Sequence, residues 1–348
     1  MSAGNDRPLI AITTGDPAGI GPEIIVAAWS DPRVHGICRP VVVGYSEYLR
    51  RAAALRRSNV QIETCDDPQK ARPSPNVIFC VAPGEDRAPP VQVGRIDPRA
   101  GQAAFEAILL AAELALAKKV DGLVTAPINK EALHAAGHQY PGHTELLADL
   151  CQRQQVAMVL YLGPGAPLRG AAGLAVAHAT LHIPMREVIH QLTAEAVFTK
   201  IRLIDQLMRC IKGSEPRIGV CALNPHAGEG GLFGREESLV ITPAIKRATD
   251  EGIRVEGPVP ADAIMVQARD GRFDGLVAMY HDQGHIALKL LGMHRAVNIT
   301  AGLPIIRTSV AHGTAFDIAG LGRADPSSLI EAIRVAAMLS KNRPSFAA

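Results

Sequence analysis

Residues 97–127, DPRAGQAAFEAILLAAELALAKKVDGLVTAP, run a helical pattern straight into a strand pattern, and that junction decides the fold class. Asp97 followed by Pro98 opens a helix, because proline is tolerated in the first turn and an acidic residue suits the positive helix end. Phe105, Ile108, Leu109, Ala112 and Leu116 recur at three- and four-residue spacing, which predicts a buried stripe. Lys118 and Lys119 then stand opposite the negative end, and VDGLVT follows as a uniformly apolar run. A strand without polar alternation is one covered on both faces. Similar runs recur at 9–13, 40–43, 76–81, 156–162, 174–177, 217–223, 275–279 and 296–299, several with helical patterns between them. Strand and helix in alternation predict an α/β protein with mostly parallel sheets.

At 348 residues the chain exceeds the usual size of a single core, so two domains flanking a ligand-binding cleft are expected. Its 36 basic and 34 acidic residues are dispersed, and aromatics make up only 4%. A nucleic-acid partner is therefore excluded. No apolar run reaches the ~18 residues needed to span a bilayer, so no membrane partner is expected. The opening MSAGNDRPLIAITTGDP lacks a signal-peptide pattern, which predicts a cytoplasmic protein. Cys38, Cys65, Cys80, Cys151, Cys210 and Cys221 are far apart with no CxxC pair, as expected of reduced thiols.

The chemistry concentrates in residues 278–320, AMYHDQGHIALKLLGMHRAVNITAGLPIIRTSVAHGTAFDIAG, where His281, Lys289, Asn298 and Arg307 punctuate apolar sequence. Any one of these cations could snorkel to solvent, but four polar groups in one apolar segment point to a lined pocket. The arginine fork and the lysine point charge together suit carboxylate and phosphate groups. Residues 13–21, TTGDPAGIG, form either an anion-binding strand-to-helix turn or a plain connection. Residues 224–237, NPHAGEGGLFGREE, place His226 among glycines, as a backbone approaching a ligand requires.

His178 with His182, and His281 with His285, have the four-residue spacing of two ligands on one helix face. Pro184 and Gly284 argue against a helix at either pair. One ligand from each of three segments, His182, His226 and His281, would leave the open position of a catalytic metal site; the alternative is histidines hydrogen-bonded in loops. In GHTE, residues 142–145, Thr144 is either a ligand group or a helix cap. No GxSxG is present, which argues against a triad hydrolase.

In this order, GDPAGIGPE, VTAPINK, GHTE, LNPHAGEGG, GPVPAD, MYHDQG and the NIT, GLP, IRTS and HGTA strings resemble the 4-hydroxythreonine-4-phosphate dehydrogenase family of pyridoxal phosphate biosynthesis, over residues 10–325. The resemblance implies two α/β domains of the isocitrate and isopropylmalate dehydrogenase type, residues 1–135 with 301–348 and residues 136–300, the second carrying much of the metal and dimer site. It implies that His182, His226 and His281 bind a divalent metal, zinc or otherwise magnesium or cobalt, with ligands from both subunits of a homodimer. His143, Thr144, Lys289, Asn298 and Arg307 are implied to hold a phosphorylated substrate.

HGTAFDIAG is similar to the adenine-side loop of those dehydrogenases, which implies NAD or NADP bound by His312, Gly313 and Asp317, with Gly228, Gly230 and Gly231 assigned to the cofactor as well. Asp262 resembles a position near the nicotinamide, its alternative being a solvated carboxylate; with Lys289 it is the candidate catalytic pair. The implied reaction is metal-dependent oxidation and decarboxylation of 4-phosphooxy-L-threonine to 3-amino-2-oxopropyl phosphate. The family of vitamin B6 synthesis usually has Leu-Pro after HDQG and Asp before HGTA, whereas this chain has His285-Ile286 and Ala311. HDQGHI resembles the branch acting on 4-phospho-D-threonate or 4-phospho-D-erythronate, which yields dihydroxyacetone phosphate, and also a dihydrodiol dehydrogenase of terephthalate breakdown. A phosphate-ester metallohydrolase and a binding protein without turnover are the readings from other classes.

Overall fold

The computed structural model describes residues 7–342. Two compact units form, one from the chain up to Gln154 together with Leu303–Lys341, the other from Gln155–Gly302. The changeovers fall at 154/155 and 302/303 rather than the expected 135/136 and 300/301. Helix His143–Leu150 packs on helix Pro98–Leu116, so the GHTE segment stays with the first unit.

The first unit holds β1 (Leu9–Thr13), β2 (Arg39–Val43), β3 (Gln61–Thr64), β4 (Val77–Val81) and β5 (Gly122–Thr125). The second holds β6 (Ala157–Leu162), β7 (Leu174–His178), β8 (Ile218–Cys221), β9 (Val255–Val259), β10 (Gly275–Ala278) and β11 (Ala296–Ala301). The chain then returns to the first unit for β12 (Arg307–Val310). In the first unit the order is β3-β4-β2-β1-β5-β12, with every pairing parallel. In the second it is β11-β6-β7-β10-β8-β9, where β6 runs antiparallel to both neighbours and the others are parallel. Both units are thus α/β, as the alternation required.

Helix Pro98–Leu116 forms where expected, with Asp97 as a side-chain cap accepting from Arg99 N. Its buried face differs from the expected stripe: it runs through Ala100, Ala104, Ala107, Ile108, Ala111 and Ala115, while Phe105 and Leu109 are half-buried and Leu116 is exposed. Small side chains win there because helix Lys130–Ala135 lies so near that a Cβ on Gly101 would sit 2.1 Å from the Ala132 carbonyl oxygen. Lys118 and Lys119 fall beyond the last turn, with Lys118 in a left-handed conformation.

The chain leaves β1 toward β2 on one side and returns to β5 on the other, so a topological switch point lies between β1 and β5. Parallel sheets collect ligand-facing loops at the carboxyl ends beside such a point. The turn after β1 is pinned there: Asp16 N donates to Pro127 O at 2.9 Å, and Gly15 has φ 65°. A Cβ on Gly15 would stand 2.4 Å from Pro127 O, so only glycine closes this contact.

Asp16 is buried, with one carboxylate oxygen accepting from Ala18 N at 2.8 Å and the other without a partner among the described residues. Burial pushes its pKa up to about 6, against the opposing hydrogen bonds from the Ala18 and Asn129 backbone. A folded-state pKa above the unfolded value means that the folded protein binds the proton more tightly, so stability falls as pH rises from about 4 to about 6. Asp16→Asn removes this dependence. Urea unfolding across that range should show the variant gaining up to about 3 kcal/mol relative to wild type, and parallel curves would refute the titration.

Candidate functional site

Polar groups gather at the strand carboxyl ends in each unit. In the first, β12 opens with Arg307, which is 3% exposed. Its Nε and Nη2 donate to Thr125 Oγ1 at 3.2 and 2.7 Å, a contact set by the parallel register that places Ser309 beside Thr125. Burial pulls the Arg307 pKa down to about 9, while Glu145 acts in the other direction. His143 begins its helix behind Gly142. Burial first, then the charges of Arg307 and Lys130, hold its imidazole well below its usual pKa, so it is neutral. Its Nε2 is buried with no hydrogen-bond partner among the described residues. A buried guanidinium, a nearby lysine field and an unsatisfied imidazole nitrogen are groups whose chemistry suits an anion.

Thr144 lies in the first turn of that helix rather than at its cap, which Gly142 occupies without a side-chain bond. Lys130, in VTAPINK, was missed as a site residue in the sequence although its motif stood out. Its charge beside His143 is visible only once the Lys130–Ala135 and His143–Leu150 helices are in place.

In the second unit the three histidines expected to bind metal each follow the carboxyl end of a parallel strand. His182 follows β7, His226 follows β8 and His281 follows β10, and these strands are neighbours in the order β7-β10-β8. His182 and His281 line one pocket of about 330 Å³ with Thr180, Ile183 and Tyr280, their ring centroids 5.8 Å apart. His281 Nδ1 lies 2.6 Å from Asp282 Oδ1, which orients the ring and leaves Nε2 available. Contrary to the expectation from Gly284, His281 and His285 lie in a helix, His281–Gly292. The glycine is accommodated because His178 packs against it: a Cβ there would meet His178 Nε2 at 2.5 Å.

His226 is exposed on the loop 224–237 and its ring is 6.2 Å from Phe233, not beside His182 and His281. Among the described residues, no group of three or more His, Cys, Asp or Glu side chains is arranged to hold a metal ion. His226 to Gly230 are all left-handed, a strained run that includes Gly228 and Gly230. Glu237 fastens this loop, accepting from Leu223 N, Asn224 N and Asn224 Nδ2. Burial works to raise the Glu237 pKa, but these bonds outweigh it and hold the carboxyl below its usual range.

Lys289 is half-buried two turns beyond His281 on the same helix, and Asn298 sits in β11 opposite Leu160. Asp262 is exposed in the first turn of helix Ala261–Arg269. In the loop after β12, His312 is half-buried while Gly313 and Asp317 are exposed. Gly231 lies at the end of the left-handed run with φ 105°.

Sequence and structure comparisons bear on this arrangement. The family profile described as pyridoxal phosphate biosynthetic protein PdxA matches residues 36–336. A D-threonate 4-phosphate dehydrogenase from Salmonella typhimurium is 45% identical over 95% of this chain and 98% of that protein. A 4-hydroxythreonine-4-phosphate dehydrogenase from Desulforapulum autotrophicum is 42% identical over 96% of each. The crystal structure of 4-hydroxythreonine-4-phosphate dehydrogenase from Klebsiella pneumoniae superimposes with a TM-score of 0.85 at 44% identity, covering 96% of this chain and 99% of that one. With a matched span far beyond half its length and near-complete overlap with these dehydrogenases, the chain belongs to the family of the pyridoxal phosphate biosynthetic protein PdxA.

Proposed function

We propose that this protein is a metal-dependent, NAD(P)-linked dehydrogenase that oxidises and decarboxylates a 4-phosphorylated four-carbon hydroxy acid. The observation that carries the reading is the anion site around buried Arg307, with Thr125, Lys130 and the unsatisfied Nε2 of His143. The leading substrate is 4-phosphooxy-L-threonine, giving 3-amino-2-oxopropyl phosphate. The second is 4-phospho-D-threonate or its erythronate epimer, giving dihydroxyacetone phosphate; the 45% identity to a D-threonate 4-phosphate dehydrogenase supports it. The loop of His312, Gly313 and Asp317, with Gly228, Gly230 and Gly231, is proposed to take the cofactor, with Asp262 near the nicotinamide.

His182 and His281 fit a divalent ion as two of three ligands, because their rings share a pocket and Asp282 fixes the orientation of His281. We assign the third to His226 from a second copy of the chain. Its loop exposes Leu232 and Phe233, and the helix bearing His281 exposes Ile286 and Leu290, an apolar surface suited to a homodimer. A bound divalent ion supplies Lewis acidity, favouring loss of the alcohol proton and spreading negative charge as carbon dioxide leaves.

The chain's own groups do the rest. Arg307 and His143 hold the phosphate and fix the reacting carbon in place. NAD or NADP, which the loop of His312, Gly313 and Asp317 would hold, would supply the hydride acceptor for that carbon, and the hydroxyl proton would leave toward solvent. The new carbonyl stands β to the carboxylate, so the carbon–carbon bond breaks with release of carbon dioxide, and Lys289 holds a proton for the carbon left behind.

Three outcomes are expected. NADH absorbance should appear with one of the two substrates when zinc, magnesium or cobalt is supplied, and silence with both under all three metals would refute the reaction. Arg307→Lys should raise KM about tenfold with native circular dichroism, because the bidentate fork is lost; an unchanged KM would remove Arg307 from the substrate site. Mixing inactive His226→Ala with inactive His281→Ala should restore about a quarter of wild-type activity, since half of randomly mixed dimers carry one intact site. No recovery would show that the ligands are not shared.

A further inference from the structure

Beside the pocket of His182 and His281 lie two imidazoles that the proposed reaction leaves unused. His178 closes β7 and is 2% exposed; His285 stands one turn after His281 and is 6% exposed. Burying two polar rings costs more than burying two aliphatic chains unless each finds a partner. They find one another: His285 Nδ1 and His178 Nε2 are 3.1 Å apart, so one nitrogen donates, the other accepts, and each ring fixes the other's rotation.

The His285 ring in turn lies flat against His281, with centroids 3.8 Å apart and planes 11° from parallel. With Gly284 replaced by any residue bearing a Cβ, His178 would be driven out by an atom 2.5 Å from its Nε2, and His285 would lose its anchor. Asp282 meets His281 through Nδ1. That hydrogen bond selects a tautomer but leaves the imidazole free to swing about it; a ring stacked on its face removes the swing.

We infer that His285, anchored by His178, is a positioning residue that fixes the plane of the His281 ring and so aims its Nε2 into the pocket shared with His182. The inference rests on the reading of His281 as a metal ligand. Outer groups of this kind hold a ligand in its binding orientation, and their loss costs about tenfold or more in metal affinity.

The test measures zinc affinity of the purified full-length protein by competition with a chromogenic chelator, alongside steady-state kinetics and thermal melts. His285→Gln keeps the volume and a hydrogen bond to His178 but loses the flat face. It should weaken zinc binding about tenfold and lower kcat while KM stays within about threefold. His285→Phe keeps the face but loses the hydrogen bond to His178, so its zinc affinity should fall between those of His285→Gln and wild type. His178→Asn, which loosens the anchor and also alters the looser His178–His281 ring pair at 6.2 Å, should weaken zinc binding less than His285→Gln, and it decides by the same measurement if the glutamine variant fails to fold. Wild-type zinc affinity in both His285→Gln and His178→Asn overturns the positioning role alone. A wild-type protein that binds no zinc overturns the metal reading beneath it, and the positioning role with it.

Discussion

Parallel strand pairing is the constraint from which the rest of the structure follows. A parallel strand needs a crossover to reach its neighbour and is covered on both faces, so polar groups are squeezed out of its length and gather at its ends. β1, β5, β7, β8 and β10 are buried throughout, and the chemistry begins where they stop. Asp16 follows β1, Thr125 ends β5, and His182, His226 and His281 follow β7, β8 and β10. Arg307 is the exception in placement, opening β12 instead of following it, yet the register sets it where Thr125 Oγ1 can accept its N–H groups.

The strands that could be read directly from the sequence are those with this double coverage, because uniform apolar runs have no other use in a protein of this composition. β3, β9 and β12 escaped that reading for different reasons. β3 and β9 are edge strands of their units, largely solvent-facing, and β9 carries Gly257-Pro258 in its middle. Edge positions tolerate polar residues and proline, so no apolar signature survives. β12 is fully buried but spells RTSV, its polar groups met inside the protein: Arg307 donates to Thr125 Oγ1 and Thr308 Oγ1 to the Ala332 carbonyl.

The same distinction separates what was legible in the site. Arg307 and Lys289 stood out because charge in an apolar segment is a local property of the sequence. Lys130 did not, and His178 stood out only by its spacing to His182, because their significance is a matter of neighbours: one lends its field to His143, the other lies under Gly284. Gly284 was read as a helix breaker, and by intrinsic propensity it is one. Burial of His178 and the stack on His285 override that penalty of about 1 kcal/mol, since a helix held by tertiary packing does not depend on the propensity of one residue.

The two units differ in the charged groups they bury. Buried positive charge lies in the first, on Arg307 with Lys130 near it, where it lowers the affinity of His143 for a proton. Imidazoles dominate the second, where burial and mutual repulsion drive His285 down to about 4 and His178 well below its usual value. Neutral imidazoles are the form that can accept a cation, whereas a buried guanidinium is the form that demands an anion. The left-handed run at His226, costly in an isolated chain, belongs to the same logic: strain of that kind persists where surrounding structure holds it, here through the three hydrogen bonds that Glu237 accepts. A loop held in a strained shape with an exposed imidazole at its start presents that ring outward.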